Sequence, residues 1–192
     1  MNILVTLDRN YLPPLRVMLG SLLRNDPAET FDIYTIGDGL LPEDWAGLEA
    51  LCAGRGRIHP VEVPADLFAD APVARYWTRA MYYRLLAAEL LPQSLDRVLY
   101  LDPDILVINS VQPLYEMDLE GNLMAAATHT GLLAGITDPV NRLRLENYEA
   151  EAYYNSGVLL MDLDAMRREV RPADIFDYAR EHADILLLPD QD

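Results

Sequence analysis

Short, unbroken aliphatic runs alternating with segments of helical period constrain this chain more than any other feature. Asn2-Ile3-Leu4-Val5-Thr6-Leu7 is continuously apolar rather than alternating, the pattern of a strand covered on both faces in a parallel sheet. Pro13-Pro14 then opens a helix in which Leu15, Met18, Leu19, Leu22 and Leu23 recur on one face. A second strand is predicted over Phe31 to Ile36, turned by Gly37-Asp38-Gly39, and Pro42 starts a helix carrying Trp45, Leu48 and Leu51. Ala53-Gly54-Arg55-Gly56-Arg57 forms a turn before a third strand, Ile58 to Val63. That turn follows a helix and precedes a strand, the reverse of a dinucleotide-binding loop. The succession builds an α/β fold: a central, mostly parallel sheet with helices on both faces and right-handed crossovers. Ligands on such sheets bind at the carboxyl ends of strands, which marks the polar turn Asp8-Arg9-Asn10-Tyr11.

The second half begins with Arg79 to Leu91, a helix apolar nearly all round and therefore buried on most sides. Arg84 lies in its middle with no acidic residue three or four positions away. A guanidinium buried without a partner costs several kcal/mol, so Arg84 must reach a distant carboxylate, water or an anionic ligand. Pro92 stops the helix, and Val98-Leu99-Tyr100-Leu101 leads straight into Asp102-Pro103-Asp104. In an extended chain residues i and i+2 point to one side, so both carboxylates face the same place. Two carboxylates ~4–5 Å apart repel by roughly 3–4 kcal/mol at an effective dielectric near 20. A divalent cation relieves that repulsion and can hold a diphosphate, and oxygen-only ligands suit Mg²⁺ or Mn²⁺. The plainer reading is a solvated Asp-Pro-Asp turn between strands. Ile105 to Ile108 is predicted as another strand, Asn109 to Pro113 as a turn and Leu123 to Ala127 as a strand. A short helix is expected over Val140 to Tyr148 and a strand over Val158 to Met161, with Asp162 or Asp164 capping the next helix. Pro172 opens a last helix with Ile175, Phe176 and Ala179 inward.

Composition narrows the chemistry. The 192 residues fit one domain, 1–192, and the net charge of −16 offers no basic stripe to nucleic acid. All 15 basic residues are arginine, which excludes a Walker lysine, a Schiff-base lysine and a pyridoxal-phosphate anchor within this chain. Cys52 is the single cysteine and reads as a small core residue. His59, His129 and His182 read as surface or loop histidines. Neither a signal peptide nor a membrane span is legible, so a cytoplasmic location is expected.

Five ordered stretches, Asn2 to Tyr11, Tyr83-Arg84-Leu85, Val98 to Val107, Tyr154 to Leu160 and Asp190-Gln191-Asp192, resemble the family-eight glycosyltransferases. That group includes bacterial lipopolysaccharide galactosyl- and glucosyltransferases and glycogenin. The resemblance implies the GT-A nucleotide-diphospho-sugar transferase fold and retaining transfer of galactose or glucose from a UDP-sugar to a saccharide acceptor, such as lipopolysaccharide core. It implies that Thr6, Asp8 and Asn10 line a nucleoside pocket, and that Asp102 and Asp104 hold Mn²⁺ (or Mg²⁺) against the diphosphate. Arg84, Asn155, Ser156, Asp190 and Gln191 match positions around the donor sugar, with Gln191 near the anomeric carbon. The family pattern continues to a His-x-x-Gly-x-x-Lys-Pro-Trp segment that supplies a third metal ligand and a diphosphate lysine. That segment is not in this sequence, so a truncated core with weakened donor binding and slow turnover is expected, peripheral at the inner membrane in a longer form. Two other readings stay open on the residues. A haloacid-dehalogenase-like phosphotransferase also sets Asp-x-Asp after an apolar strand but needs a downstream lysine, and a catalytically inactive sugar-nucleotide-binding module needs only the pocket.

Overall fold

The computed structural model describes residues 1–64, 66–68, 79–128, 144–145 and 154–186. Strand β1 (Asn2–Asp8) buries Ile3, Leu4 and Val5 completely, each contributing roughly 1.5–3 kcal/mol on leaving water. Helix α1 (Leu12–Asn25) has its prolines in the first turn, where a missing N–H leaves no gap. Strand β2 (Phe31–Asp38), helix α2 (Pro42–Cys52) and strand β3 (Gly56–Pro60) complete the first half. Then come α3 (Arg79–Leu85), α4 (Ala87–Leu90), β4 (Arg97–Leu101) and α5 (Gln112–Tyr115). Strands β5 (Met124–Thr128) and β6 (Tyr154–Asp162) and helices α6 (Leu163–Glu169) and α7 (Pro172–Glu181) follow.

The six strands lie in the order β3-β2-β1-β4-β6-β5. The ladders β1–β2, β2–β3 and β1–β4 are parallel, whereas β6 runs antiparallel to both β4 and β5. Strand alternation sends Ile3, Val5, Leu7, Leu99 and Leu101 to one face, against α1 and α2. Leu4, Val98, Tyr100 and Met161 go to the other, against α3, α4, α6 and α7. The chain steps outward from β1 to β2 and β3, then returns to lay β4 on the opposite flank of β1. The reversal opens a crevice between the carboxyl ends of β1 and β4. Because β6 is antiparallel, pairing Val158 with Leu101 carries its first residues to that same end of the sheet.

Several elements differ from the sequence expectation, each for a local reason. Ile105 to Ile108 is not a strand. Val107 donates its N–H to Ser21 Oγ (3.0 Å) and accepts at its carbonyl from Asn25 Nδ2 (2.8 Å). Side chains of α1 thus satisfy this backbone in place of a neighbouring strand, and Leu106 and Ile108 stay exposed. Buried Asp26, just past α1, accepts from the Ser110 hydroxyl and from the Val111 N–H. The turn expected over Asn109 to Pro113 runs into α5, with a proline in its first turn. The single helix over Arg79 to Leu91 is two, because Leu86 (φ −101°, ψ 18°) leaves helical geometry. Leu91 is extended before Pro92, as a residue preceding proline prefers.

Strand β3 begins at Gly56 and ends at Pro60, which has no N–H for the ladder, instead of spanning Ile58 to Val63. On α2, Leu48 and Cys52 point inward at helical spacing while Leu51 is exposed. Strand β5 starts one residue later than expected, and β6 four residues earlier. Asp162 caps α6 by accepting from the Ala165 N–H (2.8 Å). Phe176 and Ala179 of α7 are buried, with Ile175 packed against them. Apart from residues 144–145, the helix expected over Val140 to Tyr148 lies outside the described residues, as does His129.

Candidate functional site

Strand β1 ends at Asp8, whose carboxylate accepts the Asn10 N–H (2.7 Å) and so caps a single helical turn, Arg9–Tyr11. Asp8 and Asn10 are both exposed there. Thr6 is different. It is 6% exposed, and its hydroxyl lies 3.2 Å from the Tyr100 hydroxyl on the neighbouring strand.

Across the crevice, Asp102 extends the β4 ladder by one residue, giving its N–H to the Gly157 carbonyl (2.8 Å). Its Oδ1 accepts from the Tyr100 hydroxyl (2.5 Å) and pairs with Arg84 Nη2 (3.1 Å). Arg84 Nη1 reaches the Ser156 carbonyl (2.9 Å) and hydroxyl (3.2 Å), while the guanidinium carbon stands 4.5 Å from the centre of the Tyr100 ring. The distant carboxylate that the buried arginine requires is therefore Asp102. A cation over an aromatic face adds about 0.5–2 kcal/mol. Asn155 Oδ1 accepts the Gly157 N–H (2.8 Å) and fixes the start of β6. A Cβ on Gly157 would stand only 2.6 Å from Asp102 Oδ2. Glycine is what allows the carboxylate to lie against this strand.

Asp104 is exposed in a turn that Ile105 N–H closes onto the Asp102 carbonyl (3.4 Å). The extended stretch thus ends at Asp102, and the alternation that would set Asp102 and Asp104 on one side does not extend to Asp104. Applied one step backward, the same period pairs Asp102 with Tyr100. Tyr100 and Gly157 are the site residues that sequence reasoning passed over, although i−2 spacing from the aspartate pointed to the first. Burial pushes the Tyr100 phenol well above its ordinary range, with the Asp102 carboxylate adding to the effect and Arg84 opposing it. Tyr100 is therefore a neutral hydrogen-bond donor. Thr6, Arg84, Asp102, Asn155 and Ser156 are linked by these contacts, with Asp8, Asn10 and Asp104 at the adjoining strand ends; Asp190 and Gln191 lie outside the described residues.

Among the described residues, the hydrogen bond to the Asp102 carboxylate lands on Oδ1, the oxygen that Arg84 also approaches most closely, and no hydrogen bond falls on Oδ2. No cluster of three or more His, Cys, Asp or Glu side chains is found among them. The Asp102 carboxylate, with an oxygen that takes no hydrogen bond, fits a cation of the Mg²⁺ or Mn²⁺ kind, which takes one or two protein carboxylates and completes its shell with water and phosphate.

The family model described as Glycosyl transferase family 8 matches residues 2–192. General stress protein A of Bacillus subtilis (strain 168) is 29% identical over 198 residues, covering all of this chain and 67% of that protein. Lipopolysaccharide 1,2-glucosyltransferase of Escherichia coli (strain K12) is 30% identical over 164 residues, covering 85% of this chain and 48% of that one. Among solved structures, the galactosyltransferase LgtC in complex with donor and acceptor sugar analogs superposes with a TM-score of 0.83 at 27% identity. That match covers 99% of this chain and 68% of LgtC. The chain spans about half the length of the lipopolysaccharide enzymes it matches.

Proposed function

The chain belongs to glycosyl transferase family 8 and has the GT-A fold, and on that premise we propose that it moves a hexose, galactose or glucose, from a UDP-sugar to a saccharide acceptor with retention of configuration. The observation that carries this is Asp102 at the end of β4, the strand beside β1, held by Tyr100 and Arg84 at Oδ1 with no hydrogen bond on Oδ2. Family membership sets aside the haloacid-dehalogenase reading.

In this proposal Thr6, Asp8 and Asn10 take the nucleoside, and Asp102 and Asp104 hold Mn²⁺ or Mg²⁺. Arg84, Asn155, Ser156, Asp190 and Gln191 line the donor sugar, with Gln191 near the anomeric carbon and, with Asp190, a candidate catalytic residue. A bound divalent ion supplies positive charge where the diphosphate leaving group gathers negative charge. Arg84 adds a fixed guanidinium beside Asp102, positioned before any ligand arrives, so little reorganisation is needed. Relatives described as lipopolysaccharide glucosyl- and galactosyltransferases support a saccharide acceptor of that kind. No described helix is long and apolar enough to cross a membrane, and a cytoplasmic enzyme, peripheral at the inner membrane in a longer form, is part of the proposal. So is a single nucleotide-sugar-binding domain over residues 1–192.

Thermal shift with UDP- and GDP-sugars, with and without Mn²⁺, tests it. UDP with Mn²⁺ at about 100 times its Kd should add about 2.7 kcal/mol of stability, and UDP-galactose or UDP-glucose should be consumed. UDP recognition that survives Asp102→Ala with Asp104→Ala defeats the proposal. Binding without turnover under any acceptor leaves the inactive sugar-nucleotide-binding module as the better reading.

A further inference from the structure

We propose that Tyr100 is a positioning residue that fixes which oxygen Asp102 offers to a cation. This rests on the metal-binding role given to Asp102 above. The Tyr100 side chain is fully buried beneath the crevice and does not face it, so it acts through others. Its hydroxyl has one proton, and that proton goes to Asp102 Oδ1. The Thr6 hydroxyl, 3.2 Å away, must then be the donor to the phenol oxygen. A directed chain results, from Thr6 on β1 through Tyr100 on β4 to the carboxylate, linking the two sides of the crevice. The ring carries Arg84, whose Nη2 lands on the same Oδ1. With the phenol proton and the nearest Arg84 nitrogen both at Oδ1, Oδ2 is the oxygen left for a hard cation. Without the phenol proton the carboxylate is free to rotate about its bond to Cβ and share both oxygens with Arg84. Outer partners of metal-ligating carboxylates typically account for 10–100-fold in metal affinity.

Tyr100→Phe removes the hydroxyl and keeps the ring under Arg84. Direct Mn²⁺ binding, read by the loss of the free-ion paramagnetic resonance signal, should weaken about tenfold in the folded variant, while UDP binding measured without metal stays as in wild type. A merely structural tyrosine would lower the melting temperature and leave the Mn²⁺ affinity of the folded protein unchanged, and that result overturns the inference. If Tyr100→Phe does not fold, Thr6→Val removes the donor to the same phenol. It should weaken Mn²⁺ binding in the same direction, and unchanged affinity there is again fatal. Wild-type protein that binds no Mn²⁺ removes the premise and the inference together. Wild-type binding matched by Tyr100→Phe removes only the inference.

Discussion

Gly157→Ala probes the closest approach in the site. The new Cβ would stand 2.6 Å from Asp102 Oδ2 and 3.0 Å from Asn155 Oδ1. Restoring ordinary contact at 3.4 Å requires the carboxylate to retreat by 3.4 − 2.6 = 0.8 Å. It cannot do so while keeping both the 2.5 Å bond from Tyr100 and the 3.1 Å pair with Arg84, because Tyr100 is packed without exposed surface. The alternative is for β6 to pull back, which stretches the 2.8 Å bond from Asp102 N–H to the Gly157 carbonyl. Overpacking of this kind costs about 2 kcal/mol, or roughly 4–8 °C in melting temperature for a chain of this size. The second readout is the increment that Mn²⁺ with UDP adds to that melting temperature. If Asp102 loses its orientation and ligand affinity falls about tenfold, roughly half of a 2.7 kcal/mol increment disappears. Melting curves of wild type and variant, recorded with and without the ligand pair, measure both quantities. An alanine variant with unchanged stability and the full ligand increment would mean that Asp102 is not pressed against this strand.

Two further outcomes follow from charges away from the crevice. Asp44 has its carboxyl held below the usual range, chiefly by the Leu41 N–H; burial opposes this, and the hydrogen bond and charge of Arg9 reinforce it. A depressed folded value gives stability present above the unfolded carboxylate range and lost as pH falls through the folded value. Melting temperatures of wild type and Asp44→Asn should therefore differ at pH 7 and converge in the acid range below about pH 4. Burial pushes the Cys52 thiol up to about 11, so at pH 8 only about one thiol in a thousand is thiolate. A chromogenic disulfide reagent should leave Cys52 untouched in the native protein and titrate one thiol after urea unfolding.

The parts of the fold legible in the sequence are those whose driving force is local. The aliphatic run at Ile3 to Leu7 and the prolines opening α1, α2 and α7 each carry their own signal. Arg84 was legible as a residue needing a partner because charge inside an apolar helix has few solutions, although only the packing of α3 over β4 identifies Asp102 as that partner. What the sequence misreads depends on distant groups. Ile105 to Ile108 has strand composition, yet Ser21 and Asn25 on α1 claim its backbone. Leu51 is apolar and helical but falls one position off the inward row set by Leu48 and Cys52. Gly157 carries no signal of its own just before the strand expected from Val158, yet it is a clearance for a carboxylate. The Asp102–Asp104 pairing was inferred from alternation, and the turn at Pro103 interrupts the extended geometry it assumes.

The tether from β4 to α1 has a consequence for how this region meets a ligand. Leu101 is fastened in the sheet and Val107 is clamped by two side chains of α1, so Asp104 rides on a bridge of five residues moored at both banks. Such a short span has little conformational freedom left to surrender. Capture of a phosphate-bearing molecule at this bridge should therefore resemble docking onto a fixed quay more than the folding of a curtain. Nucleotide-free and nucleotide-bound crystals should superpose here to within ordinary coordinate scatter.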